Sequence, residues 1–325
     1  MEEISFTSNP VENLNFAFFV SVIVVLPLFL AVIGLIGNFL SFLLMNQKKY
    51  KKSTSCFYMR CLAVFDTLYI FGRMILRYPV VIPPMGFSEN QDVLRQYCYC
   101  LFAVGRFTLP LSVWTLVFLS LERYIALTWP LQAAMVCTMR RAKLSCVGIC
   151  CFAACLGGLV FLRKEQEKYK AWFCPYHYDE PFDEIDDTIV ESVLLVYLPV
   201  SLTLFADIGI AIAIKRSHKE LTNMSQSKRH TADKDMTKTI IIVTGVFFLC
   251  SLIKRTPHIF WEQWTGPRGS YWEILTINLS GIFEYTNYTL NAYLYVFTCK
   301  RFRKELHCIL TSRKDNGRTR GISSG

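Results

Sequence analysis

The chain alternates between long apolar stretches and short basic or polar ones. Apolar blocks fall near residues 16–45, 57–82, 98–127, 143–162, 189–214, 238–261 and 272–298. Each is long enough to cross about 30 Å of hydrocarbon at about 1.5 Å per residue. Lipid offers nothing to unpaired backbone groups, so only helices and closed barrels span it, and these blocks exceed a barrel strand. The pattern predicts an all-α membrane protein, a seven-transmembrane helix bundle. It divides the chain into an N-terminal segment 1–15, a transmembrane region 16–299 and a tail 300–325.

Composition agrees: 53% of residues are hydrophobic and 18% charged, against roughly 25% charged in soluble domains. The formal charge of +10 raises a nucleic-acid partner. The basic residues, however, sit in short stretches between apolar blocks and not on one soluble face, which argues against that partner. Their distribution instead orients the bundle. Lys48, Lys49, Lys51 and Lys52 follow span one, Arg140, Arg141 and Lys143 precede span four, and Lys215 to Lys238 follow span five. The alternate loops are poor in basic residues apart from the mixed-charge stretch 163–187, so the N-terminus is expected outside and the tail inside. Met1-Glu2-Glu3 carries acids where a secretory signal carries bases, and the first block is expected to insert and stay.

Most of the thirteen cysteines lie inside spans, Cys146, Cys150, Cys151, Cys155 and Cys250 among them, and read as small buried hydrophobes. Cys98 and Cys174 differ, because the topology puts both at the oxidising outer side. Cys100, two residues from Cys98, competes for any bond there.

Polar residues inside spans are costly and mark the interior. Asp66 lies mid-span, with Asn38, Ser112, Asn287 and Asn291 at comparable depth. Such a group either packs as a polar network or holds a small cation, and spacing alone leaves both open. Arg73 and Arg77 lie one turn apart in span two, Arg106 two turns below Cys98, Arg255 in span six and Glu284 two turns before Asn291. These charges either edge one outer pocket or pair to hold helices together, Glu284 with Arg106 or Arg77. A cationic pocket suits an anionic or carbonyl-rich group, while the acids of 179–187 above it suit basic residues of the same ligand.

Near the inner end of span three stands Glu122-Arg123-Tyr124, with Pro130-Leu131 beyond it. Gly37-Asn38 lies in span one, Leu62-Ala63 with Asp66 in span two, Pro199 in span five and Pro257 in span six. Span seven reads Asn287-Tyr288-Thr289-Leu290-Asn291-Ala292-Tyr293-Leu294-Tyr295, followed by Lys300-Arg301-Phe302-Arg303. Over about residues 20–310 this resembles the rhodopsin-like G-protein-coupled receptors, and within them the receptors for FMRFamide-like invertebrate neuropeptides, which also relax the span-seven proline. The resemblance implies a plasma-membrane receptor for an extracellular ligand, a short neuropeptide, that signals to a heterotrimeric G protein. It implies a Cys98–Cys174 disulfide and a sodium site with Asp66 as metal ligand beside Ser112, Asn287 and Asn291. It assigns Glu122, Arg123, Tyr124 and Tyr295 to coupling, and a short amphipathic eighth helix to the tail, with Phe302, Leu306 and Ile309 facing membrane lipid. Cys308 is either a palmitoylation site or a buried thiol. No organic cofactor is implied, only an allosteric sodium ion.

Departures from the family pattern sharpen the question of mechanism. Cys150 replaces a span-four tryptophan, and Lys254 and Arg255 stand where cysteine and a switch tryptophan are usual. Thr237 takes the place of the acid that pairs with Arg123, which leaves Asp207 of span five as a candidate substitute. A retinal protein needs a span-seven lysine, and 272–298 holds none, with Tyr285 at that place. No repeat between halves suggests a transporter, and no phosphate loop or zinc spacing suggests an enzyme. The alternatives retained are a receptor for a small anionic ligand and, behind it, a transporter.

Overall fold

The computed structural model describes residues 18, 21–76, 91–162, 187–221, 237–254, 271–300, 302–307 and 311. Its described residues form seven long helices, here α1 Leu26–Met45, α2 Thr54–Tyr69, α3 Gln91–Thr128, α4 Met139–Leu159, α5 Leu198–Leu221, α6 Thr237–Lys254 and α7 Tyr271–Thr298. π-helical stretches extend three of them: Ser21–Val25 before α1, Ile70–Ile75 after α2 and Asp187–Tyr197 before α5. A short helix, Pro130–Val136, links α3 to α4. Residues 302–307 form α8 at the tail.

Local chemistry explains the starts. Pro27 stands where the π-helical Ser21–Val25 passes into α1, and its missing N–H removes one bond at that change of ladder. Ser53 and Thr138 cap α2 and α4 by accepting from the backbone N–H groups of Cys56 and Arg141. Helix α3 begins seven residues before its apolar block, its first polar turns standing outside the hydrocarbon.

Large apolar side chains point outward, including Ile36, Phe39, Leu144, Val147, Phe205 and Ile208, while Asn38, Ser41, Asp66, Ser112, Thr203 and Asn291 are buried. This inversion of the soluble pattern fits lipid as the surrounding solvent. Five helices, all but α2 and α7, are long and apolar enough to cross a bilayer by composition alone. Those two carry Asp66 and Glu284, Asn287 and Asn291 and face them inward.

Helix α3 is central and packs on α2, α4 and α5, while α1 packs on α2 and α7. The α1–α7 seam is hydrogen-bonded: Asn38 Nδ2 donates to the Tyr288 carbonyl at 3.2 Å, Thr289 Oγ1 to that of Leu30 at 3.1 Å and Tyr293 OH to that of Ile33 at 3.0 Å. At the inner end one apolar cluster joins Leu44, Met59, Leu62, Leu116, Val243 and Phe302. This corrects the lipid-facing expectation for α8. Phe302 is buried and packs on the Tyr295 ring at 5.8 Å, and Leu306 lies against the same cluster. The ring gains more by closing the bundle's inner end than by entering the headgroup region. Ile309 and Cys308 lie outside the described residues.

Tyr124 of α3 lies against Gly209 of α5 and meets Phe205 edge to face at 5.4 Å, so the two helices approach where a side chain is missing. Gly209→Val should force them apart and lower the receptor's melting temperature in detergent, an overpacking loss of about 1–3 kcal/mol. An unchanged melting temperature would contradict this close approach.

Candidate functional site

In the outer half, a cavity of about 70 Å³ lies between α2, α3, the 187–197 stretch, α6 and α7. Phe102, Leu109, Val113, Leu195 and Phe247 supply apolar wall. Arg73, Arg106, Lys254 and Glu284 supply charge. The structure thus brings together three of the pocket residues named from sequence; Arg77 and Arg255 lie outside the described residues. Arg73 belongs to the π turn of α2, and Gly105 leaves it room, since a Cβ there would stand 2.6 Å from Arg73 Cδ. Arg106 is 4% exposed, with its guanidinium 5.1 Å from the centre of the Phe102 ring. Glu284 has a partner outside the arginines weighed for it: Lys254 Nζ donates to Glu284 Oε2 in an ion pair between α6 and α7. A lysine at that depth is subject to the same cost that singles out Glu284, so its partner was readable from span six itself. Tyr288 closes the cavity floor, its ring stacked 3.7 Å from that of Tyr69.

At the outer end of α3, Cys98 is disulfide-bonded and Cys100 is free. The competition between these neighbours is settled for Cys98. Cys174, its expected partner, lies outside the described residues.

Below the floor, Asp66 is fully buried. Asn291 Nδ2 donates to its Oδ2 at 2.7 Å. Ser112 of α3 stands beside the same carboxylate, yet the buried Ser112 Oγ and Asp66 Oδ1 make no hydrogen bond of ordinary geometry. Asn287, one turn outward, lines the cavity, and Asn38 is used in the α1–α7 seam. Asp66 Oδ1 and the neighbouring Ser112 Oγ are two oxygens of the hard kind that small cations bind.

At the inner end, Glu122 Oε1 accepts from Thr54 and from Ser55 Oγ, which ties α3 to the start of α2. Arg123 is half-buried beside it. Asp207 does not serve as the partner of Arg123. Its Oδ2 accepts from Thr244 Oγ1 of α6, and its buried Oδ1 has no hydrogen-bond partner among the described residues. Thr237 is buried, and, two residues on, Thr298 Oγ1 donates to Thr239 Oγ1 at 2.8 Å, joining α7 to α6. The Tyr295 hydroxyl is buried without a hydrogen-bond partner among the described residues. These threonine bridges escape sequence reasoning, because a threonine in a span more often bonds its own helix, as Thr115 and Thr128 do.

Residues 37–295 match the family of 7 transmembrane receptors (rhodopsin family). The chain belongs to that family and is a multi-pass G-protein-coupled receptor of the plasma membrane, its N-terminus extracellular. Among curated proteins it is 25% identical to mouse somatostatin receptor type 2 over 98% of this chain and 82% of that receptor. It is 23% identical to mouse neuromedin-U receptor 2 over 84% of this chain and 71% of that one. G-protein coupled receptor 183 of rat is 24% identical over 85% and 78%. These relatives are vertebrate receptors and do not bear on the invertebrate subfamily. The family is one of receptors and not of enzymes.

Asn291→Leu should leave Asp66 without its hydrogen-bond donor and cost about 1–3 kcal/mol, read as a lower melting temperature. Asp66→Leu with Asn291→Leu should recover part of that loss. A double variant less stable than Asn291→Leu alone would contradict the pairing.

Proposed function

We propose that this receptor is activated by a short extracellular peptide whose end enters the charged cavity, and that it signals through its inner face to a heterotrimeric G protein. The observation that carries the reading is the convergence of Arg73, Arg106, Lys254 and Glu284 on one outer cavity. Charges at that depth are retained where they face a polar ligand or water. The names of the somatostatin and neuromedin-U receptors support a peptide. The cavity's size admits one terminal group or side chain, so most of a peptide would rest on the outer loops. A small anionic ligand is the second reading, favoured by the three cations and one carboxylate on the walls.

The proposed coupling residues are Glu122, Arg123, Tyr124 and Tyr295. Glu122, held by α2, positions Arg123 at the inner mouth, where it can meet a partner once the inner helix ends part. Asp66, Ser112 and Asn291, with Asn287 above, form the proposed sodium site; a bound cation there supplies charge compensation that holds α2, α3 and α7 in one packing. The orphan oxygens of Asp66 and Ser112 support it.

Expression in cells and screening of short peptides, each as free acid and as C-terminal amide, against calcium and cyclic AMP readouts tests the main reading. A graded response to one peptide series is expected, and Arg106→Ala should lower its potency about tenfold or more at matched surface expression, about 1.4 kcal/mol. Responses only to small non-peptide anions would favour the second reading.

Two variants test the inner parts. Arg123→Ala should reduce G-protein activation while agonist affinity stays near wild type, and equal loss of both would count against a coupling role. Asp66→Asn should abolish the effect of sodium on agonist binding. Sodium dependence persisting in that variant would leave Asp66 a packing residue only.

A further inference from the structure

Among the described residues on the walls, Glu284 is the one carboxylate and is engaged by Lys254, and the other charged groups, Arg73 and Arg106, are cationic. Each guanidinium has five N–H donors, more than a single neighbour uses. A group entering the cavity therefore meets guanidinium N–H groups and the Lys254 ammonium beside Leu109, Val113 and Phe247. The ion pair is the charged tie between α6 and α7 among the described residues, and its side chains are 27% and 10% exposed. Toward the inner end the same two helices are joined again by Thr298 and Thr239. Turning the outer end of α6 away from α7 breaks the first tie.

We infer that the cavity is a subsite for a carboxylate and that this carboxylate takes the place of Glu284 on Lys254, unlatching α6 from α7. The inference deepens the receptor reading and rests on it, but not on the ligand being a peptide. Removing one member of a buried ion pair is strongly unfavourable, because the other is left as an uncompensated charge. Exchanging one carboxylate for another is different: Lys254 keeps an anion throughout, so the opposing free energy is small. A second cation stands on the same walls, since Arg73 lines the cavity with Glu284. An exchange close to balance is one that a modest differential affinity can tip. An amide or an amine in the same place cannot make the exchange, so the latch selects for ligand charge. It also supplies a trigger in a chain whose span six has Lys254-Arg255 where a switch tryptophan is usual.

The test needs no identified ligand. In cells at matched surface expression, basal G-protein signalling is measured for Lys254→Met, Glu284→Gln, the two neutral changes together, and the charge swap Lys254→Glu with Glu284→Lys. The neutral double variant leaves no unpaired buried charge, so it reports on the latch even where a single variant fails to reach the surface. Loss of the pair should raise basal signalling about threefold or more, and the charge swap should return it toward wild type. Basal signalling at the wild-type level in the neutral double variant, or still raised in the charge swap, would overturn the latch.

The subsite is tested on the purified full-length receptor in detergent, with N-acetylphenylalanine and its primary amide as probes. The acid should raise the melting temperature, the amide should not, and Lys254→Met or Arg106→Ala should abolish the shift. Equal shifts from acid and amide, or none from the acid, would overturn the carboxylate assignment. Failure of every peptide in cells, with both of these arms intact, would count against the peptide reading and not against this one.

Discussion

In hydrocarbon a polar side chain that faces outward has nothing to bond, so each must turn toward another helix, and this requirement sets how the helices are rotated. Helices α2 and α7 are the clearest cases. Over their described residues neither has the length and apolarity of a crossing helix, and each turns its polar face inward, α2 packing on α1 and α3 and α7 on α1 and α2. Asp66 meets Asn291, Tyr69 stacks on Tyr288, and Arg73 lies beside Gly105. The functional layers are therefore the residues that fix the packing, and their removal is expected to act on both fold and signalling.

That constraint also explains what the sequence made legible. Span number, orientation and the buried polar positions follow from hydropathy and charge alone, and the resemblance of Glu122-Arg123-Tyr124 and the span-seven element supplied the family. The convergence of Arg73, Arg106 and Glu284 was readable because charges inside spans have few places to go. Partner choice was harder. Glu284 was matched to arginines and in fact meets Lys254, and Asp207 was matched to Arg123 and meets Thr244. Periodicity gives the face a residue occupies, but which neighbour it reaches depends on the mutual rotation and height of two helices. Phe302 failed for a related reason: an apolar position on an amphipathic tail can face lipid or the bundle, and Tyr295 decides it.

The layers form a continuous path through the membrane. The charged cavity sits on the Tyr69–Tyr288 stack, with Asp66 and Asn291 below it, and the inner end holds Tyr295, the Thr239–Thr298 bridge, Glu122 and Arg123. Helices α6 and α7 are tied at both levels, above by charge and below by a neutral hydrogen bond. In the proposed mechanism the upper tie is the one a ligand addresses, since a carboxylate can replace a carboxylate, whereas nothing entering from outside reaches the threonines. Coupling between the two ends then needs no tryptophan rotation, only a change in how α6 sits on α7.

The most direct test of this account is an electron cryomicroscopy structure of the receptor bound to an activating ligand and a G protein. The account expects the ligand's carboxylate within contact of Lys254 and Arg106, with Glu284 turned away from Lys254 toward Arg73. A ligand that leaves the Lys254–Glu284 pair intact in the G-protein-bound receptor would contradict it.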